Sequence, residues 1–326
     1  MSVTLADKLA FLGTPGRLDT VVDTIETHMS WVFLTARRVY KLKKPVALLY
    51  LDHRTLERRR RSCEKELVLG RRLAKGVYFD VLPLVVTPRG LALGGEGEIV
   101  EWLVAMRRLP ETAMLPHALA AGTATPSDAD AVGDALAGFY RTATPSAWSG
   151  EAYVRRMHDL VAVYAAELVA SGVTHGRVED VEAALNALGD RHAALLAHRI
   201  VEGHVVDAHG DLRPEHVCLE APPAIIDPLE FDDDLRTLDA ASELAFFALE
   251  CERLDGAWFA DRVIARYAAH TGDRPPPELV AFYRGQHALA RAVIAVRHVV
   301  DALPTDHPRW RGKAEDYLAR ALAASG

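Results

Sequence analysis

The chain has 326 residues, half of them hydrophobic (50%), and a formal net charge of −7. That length accommodates about two domains, each with enough apolar side chains for its own core. The acidic balance argues against a general nucleic-acid binder, which needs a basic surface, and no apolar run approaches the ~18 residues that span a bilayer.

In chain order, short β-branched and apolar runs between Thr20 and Lys44 predict strands over 21–26 and 31–35, joined by the turn Thr27-His28-Met29-Ser30. Residues 39–44 alternate and stop at Pro45, which predicts a third strand. The stretch 55–74 lacks proline, is rich in Leu, Glu and Arg, and reads as a helix. Strands follow over 81–86 and 98–106, separated by a glycine-rich turn over 90–97. After Arg107-Arg108-Leu109-Pro110 the pattern turns helical: 128–140 with Ser127 as its N-cap, then 152–171, 178–200, 238–254, 258–270, 277–303 and 311–324. Only 204–234 interrupts this run. The division predicts two domains, 1–106 and 107–326, with a hinge near 101–110.

The interruption contains His209-Gly210-Asp211-Leu212-Arg213-Pro214-Glu215-His216, and eleven residues after His216 comes Asp227, ending Ile225-Ile226-Asp227. One carboxylate on a tight loop and a second after a short apolar strand suit phosphoryl transfer. The first orients the attacking hydroxyl, and the second holds magnesium against nucleotide phosphates. A lone His-Gly-Asp is common in turns; the ordered loop, strand and second Asp are the specific signal.

These residues resemble the aminoglycoside phosphotransferase family of small-molecule kinases. Its catalytic loop reads His-Gly-Asp-Leu-His-Pro-Gly-Asn, and its metal strand reads Ile-Asp-Trp or Ile-Asp-Phe, with another Asp about a dozen residues on. His209, Gly210, Asp211, Leu212, Pro214 and Asp227 match, and Asp239 fits the last acidic position. The resemblance implies an α+β, two-lobed protein-kinase-like fold: a small β-rich nucleotide-binding lobe, then a large, mostly helical catalytic and acceptor-binding lobe. It also implies ATP-dependent transfer of the γ-phosphate to a hydroxyl of a small polar molecule, such as a sugar, amino sugar, amino alcohol or aminoglycoside. Asp211 is the implied catalytic residue, with Asp227 and His216 as ligands of Mg2+ or Mn2+. His216 stands where the family has Asn, and imidazole suits softer metals than magnesium. The chain further resembles a subgroup of predicted kinases often fused to a P-loop kinase domain; its sequence has no Gly-x-x-x-x-Gly-Lys-Ser/Thr loop.

In kinase-like folds a third-strand lysine contacts the phosphates and is held by a helix glutamate. Lys41 and Lys43 share a strand face, and Lys43 is assigned because Tyr40-Lys41-Leu42-Lys43 fits the Val-Ala-Ile-Lys pattern better, with Lys41 as the alternative. Spacing alone allows a solvated edge equally well. Glu66 is the helix partner, with Glu64 in reserve. Ser30, in the first turn, and Met106, ending a hinge-like Glu101-Trp102-Leu103-Val104-Ala105-Met106, complete the nucleotide set. Arg58 to Arg61 point in four directions on a helix and read as a solvated face. Glu230, Asp232, Asp233 and Asp234 read as a solvated turn or the lining of a cationic acceptor pocket. His287, Arg291 and Arg297 read as surface or packing residues. Cys63, Cys218 and Cys251, odd in number and far apart, read as reduced thiols of a cytoplasmic protein. The partner implied is a small-molecule acceptor, with no nucleic acid or membrane. A rival reading is a nucleotide-binding regulator without turnover, suggested by His216 and the lack of a glycine-rich loop.

Overall fold

The computed structural model describes residues 3–14, 16–18, 21–48, 51–172, 177–301 and 306–325; Thr20 and Leu303, at the ends of predicted elements, lie outside them. The elements are α1 (Leu5–Gly13), β1 (Val21–Glu26), β2 (Ser30–Thr35), β3 (Arg38–Lys43), β4 (Ala47–Leu48), β5 (Leu51–Asp52), α2 (Leu56–Leu73), β6 (Tyr78–Thr87), β7 (Gly90–Leu93), β8 (Glu98–Arg107), α3 (Leu115–Ala120), α4 (Pro126–Thr142), α5 (Gly150–Ser171) and α6 (Val178–Val201). Then come β9 (Val205–Asp207), β10 (Val217–Cys218), β11 (Ala224–Ile225), α7 (Asp233–Arg236), β12 (Thr237–Asp239), α8 (Ala240–Glu252), α9 (Ala257–Thr271), α10 (Pro277–Asp301) and α11 (His307–Ser325). They fall into two compact units, Met1–Ala131 with His209–Arg236, and Val132–Ala208 with Thr237–Gly326.

The first unit is built on an antiparallel six-stranded sheet in the order β1-β2-β3-β8-β6-β7. Successive strand residues alternate faces, so Tyr40 and Leu42 of β3 enter a core with Phe33, Leu84, Leu103 and Leu12 of α1. Lys41 and Lys43 face the other way, toward α2. Thr55 caps α2 by accepting from Arg58 N, and Glu57 in its first turn and Arg71 and Arg72 in its last complement the helix dipole. Gly70 lets this helix approach β6: a Cβ there would lie 2.3 Å from the Tyr78 ring. The catalytic segment packs here too. β10 pairs with β11, Met114 bridges to Cys218, and Cys218, Ala224 and Ile226 join a core with Cys63, Tyr78 and Val104. Residues 107–131 and 209–236 fall in the same compact unit as the strands that precede them.

The second unit is helical, around Tyr153, Leu185, Phe282, Tyr283 and Tyr317. Its buried polar centre is Arg199, which donates to Asp239 at 2.6 Å twice and to Asp273 at 2.6 and 2.8 Å. Asp239 also accepts from Tyr283 Oη at 2.8 Å and from Ala241 N at 2.8 Å, capping α8. The helix predicted from 238 accordingly starts at Ala240, since Thr237–Asp239 pair with β9 instead.

Two further expectations are corrected. The cap of α4 is Thr125, not Ser127: Thr125 Oγ1 accepts from Asp128 N at 3.2 Å, and Asp128 accepts in return from Thr125 N at 2.8 Å. The glycine-rich 90–97 is not only a turn, because Gly90–Leu93 pairs with β6.

Candidate active site

The loop containing Asp211 is shaped by two residues before it. Gly210 adopts φ +86°, and a Cβ there would lie 2.8 Å from Leu229 Cβ, so only glycine fits without displacement. His209 is buried; its Nε2–H donates to the Ile226 carbonyl at 3.0 Å and its Nδ1 accepts from Asp211 N at 3.3 Å. Burial, reinforced by His216, lowers its pKa to about 3, so the ring is neutral and ties the loop to the strand ending at Asp227. His216 Nδ1–H donates to the Asp211 carbonyl at 2.9 Å, which leaves the Nε2 lone pair to accept from Arg213 Nη2 at 3.0 Å. Arg213 also grips the Asp211 carboxylate, Nε to Oδ1 at 2.9 Å and Nη2 to Oδ2 at 3.0 Å.

Asp227 has φ 61°, a left-handed conformation that Asp tolerates better than most side chains. Its N–H donates to Tyr78 Oη at 2.8 Å. Its carboxylate accepts from Lys41 at 2.5 Å and lies 3.6 Å from His216 Nε2. From there charges alternate inward. Lys41 donates to Glu66 at 3.0 Å, Lys43 donates to Glu66 at 2.6 Å and to Glu230, and Ser62 donates to Glu230 at 3.0 Å. Burial pushes the carboxyls of Asp227 and Glu230 up, but Lys41 and then His216 outweigh it at Asp227, and Lys43 and then Lys41 at Glu230, so both are held below the usual range. Burial opposes charge on Lys41 and Lys43 as well, and their carboxylate neighbours prevail, keeping both ammonium groups protonated.

The structure thus brings together Lys41, Lys43, Glu66, Asp211, His216 and Asp227. It separates the two lysines by exposure: the Lys43 side chain is 1% exposed and Lys41 14%, with Lys41 the one that reaches Asp227. Glu64 pairs instead with Arg60 on the outer face of α2. Ser30 is buried at the start of β2, opposite Lys43 in the sheet, and its N–H donates to Thr27 Oγ1 at 2.9 Å. Met106 packs in the core beside Val104 and Tyr78. Glu101 is buried and pairs with Arg59 and Lys8, so Arg59 is structural while Arg60 and Arg61 form exposed pairs.

Glu230 is not a solvated turn residue, because it is buried against Lys43 and Ser62. Asp232 accepts from Leu235 N, and Asp233 pairs with Lys65 and Arg236. In the second unit His287 bonds Ser242 and stacks on Phe246, Arg291 bonds Tyr317, and Arg297 pairs with Glu167. Arg213, Tyr78, Ser62 and the burial of Glu230 join the site only in the folded structure; of these only Arg213 carries a signal in the sequence, lying inside the motif.

Among the described residues no group of three or more His, Cys, Asp or Glu side chains could hold a metal. Asp227 and His216 supply two donors. Magnesium is commonly held by one or two carboxylates with substrate phosphates, so this set fits an ion that arrives with a nucleotide, not a protein-only cage.

The family model described as the phosphotransferase enzyme family matches residues 35–283. Uncharacterised proteins of Mycobacterium tuberculosis and Mycobacterium bovis are 34% identical over 281 residues, covering 84% of this chain and 54% of theirs. The chain spans about half the length of these curated relatives. Among solved structures, the GDP complex of aminoglycoside 2'-phosphotransferase-IIIa matches with TM-score 0.54 at 14% identity over 98% of both chains. The Plasmodium vivax ethanolamine kinase gives 0.52 at 9% identity over 94% of this chain and 83% of the other. The streptomycin-ATP ternary complex of APH(2")-IIa gives 0.50 at 10% over 98% and 97%. At such identities the likeness speaks for the fold, a two-lobed α+β protein-kinase-like one. The family match is independent of it and spans well over half of the sequence, and by that match the chain belongs to the phosphotransferase enzyme family.

Proposed function

We propose that the chain is an ATP-dependent phosphotransferase acting on a hydroxyl of a small polar molecule. The observation that carries this reading is the gathering, within one compact unit, of Asp211 and Asp227 with a lysine–glutamate pair that ends on Asp227. The acceptor oxygen would bond to the γ-phosphorus while the bond to the β,γ-bridging oxygen breaks and ADP leaves. Asp211 would take the hydroxyl proton. Asp227 and His216 would hold the divalent ion, Mg2+ or Mn2+, which neutralises phosphate charge. Lys41 is the better candidate for the phosphates, because it borders Asp227 and retains some exposure, while Lys43 braces Glu66 and Glu230 from inside. Ser30 and Met106 would belong to the nucleotide side, with 1–106 as the nucleotide lobe and 107–326 supplying base and acceptor site.

The acceptor class follows by analogy with neighbours named as aminoglycoside phosphotransferases and an ethanolamine kinase, and fold analogy alone does not choose among them. The three cysteines are buried thiols, which suits a cytoplasmic setting. One observation favours a nucleotide-binding regulator without turnover: Arg213 occupies both oxygens of Asp211. The test is ADP release with magnesium and with manganese across sugars, amino sugars, amino alcohols and aminoglycosides, with Asp211→Asn as control. A phosphotransferase gives acceptor-dependent release that the variant lacks. Nucleotide binding with no turnover on any acceptor selects the regulator.

A further inference from the structure

We propose that Arg213 is a latch that holds Asp211 and His216 in the nucleotide-free protein and is drawn off by the terminal phosphate of a bound nucleoside triphosphate. The inference rests on the phosphotransferase reading. Its physical basis is that one guanidinium occupies two groups at once. Nε and Nη2 donate to the two oxygens of Asp211 at 2.9 and 3.0 Å, and Nη2 also meets His216 Nε2 at 3.0 Å. The third nitrogen, Nη1, lies 3.9 Å from a Glu215 carboxylate oxygen.

Each contact blocks a function. An Asp211 carboxylate bonded along both oxygens to a cation is a poor acceptor for a hydroxyl proton, and a His216 lone pair directed at an N–H cannot ligand a metal. Hydrogen bonds with both partners ionised are among the stronger ones, so a competing anion is the natural agent to open the clasp. A phosphate is that competitor: the planar fork of arginine suits phosphate oxygens as well as carboxylate oxygens, and a terminal phosphate carries the greater charge. Backbone geometry favours an exchange of partners over a rearrangement of the loop. His209 and Gly210 fix the chain on one side of Asp211, and the His216 Nδ1 bond to the Asp211 carbonyl fixes the other, so the guanidinium can leave while the loop stays. Two of the three positions at which this loop departs from the motif it resembles, Arg213 and His216, are in contact with each other. The latch would leave the base unready until a triphosphate is in place.

The test is a binding cycle in solution with the full chain and magnesium, by calorimetry, using a non-hydrolysable ATP analogue with an imido β,γ bridge, and ADP. Asp211→Asn removes the charge that holds the guanidinium and frees it for the terminal phosphate. The expected result is a gain in analogue affinity of roughly three- to tenfold with ADP affinity unchanged, and loss of that gain when Asp211→Asn is made in an Arg213→Gln background. Should Arg213→Gln not fold, Arg213→Lys serves: it keeps the charge without the fork, and the gain shrinks. The same gain in both backgrounds would mean that Asp211 merely repels the triphosphate, and the latch is overturned while the phosphotransferase reading stands. Failure of the wild-type protein to bind either nucleotide overturns both.

Discussion

Lys41 and Lys43 sit two residues apart on one strand and share Glu66, yet they lie in different dielectric surroundings, and that difference predicts opposite outcomes. Removing Lys43 strands Glu66 and Glu230 as buried carboxylates with one fewer cation, so Lys43→Ala should cost about 3–5 kcal/mol in denaturant unfolding. Lys41→Ala leaves Glu66 paired to Lys43 and exposes Asp227, whose side chain is already 42% accessible. It should cost clearly less stability while removing turnover. Equal losses of stability would show that the two lysines are interchangeable in the network.

His53 supplies a pH prediction. It is 3% exposed, its Nε2 lies 3.0 Å from Ser62 Oγ, and its Nδ1 has no hydrogen-bond partner among the described residues. Burial, then the Lys43 charge, lowers its pKa from 6.5 to about 4. The unfolded chain takes up a proton near 6.5 and the folded one only near 4, so this group's share of stability is complete above 6.5 and is lost as pH falls through that window. The wild type should therefore lose up to roughly 3 kcal/mol more than His53→Gln between pH 7 and 4. Parallel unfolding midpoints for the two proteins across that range would assign the pH dependence elsewhere.

At the scale of elements, α2 and β6 together set the position of Asp227. Gly70 admits the Tyr78 ring, and the Tyr78 hydroxyl accepts the Asp227 N–H, holding a left-handed residue in place. Tyr78→Phe keeps the ring and removes that acceptor. We expect a stability loss of about 1–2 kcal/mol and a smaller magnesium-dependent gain in nucleotide affinity, with affinity measured without metal little changed. A variant that melts lower but keeps the full magnesium gain would make Tyr78 a packing residue only.

Across the whole molecule, the site groups and the most buried ion cluster of the helical unit belong to different compact units. Arg199 is the cation paired with both Asp239 and Asp273 in the second unit, so Arg199→Met should destabilise by about 3–5 kcal/mol. Below its melting temperature this variant should bind nucleotide with wild-type affinity, because the proposed nucleotide ligands belong to the other compact unit. A parallel loss of affinity would tie the cluster to the nucleotide site.

Sequence alone determined the longer strands and helices after residue 20 and the ordered pair Asp211 and Asp227, because periodicity and tight-turn chemistry are local properties; the short elements β4, β5, β7, β9, β12, α3 and α7 were not legible in it. It also showed that Lys41 and Lys43 share a face. The short capped helix α1 carries a legible signal, Thr4 followed by Asp7, which its brief apolar pattern did not reinforce. Tertiary structure decided the rest. Which lysine meets Asp227 depends on a contact 186 positions away in sequence, and the burial of Glu230 depends on another at 187. Arg213 was visible as a residue, but its grip on Asp211 and His216 exists only once the loop is folded. Periodicity reports which way a side chain points; which charge it meets is fixed by long-range packing, and ionisation and reactivity at this site follow from that pairing.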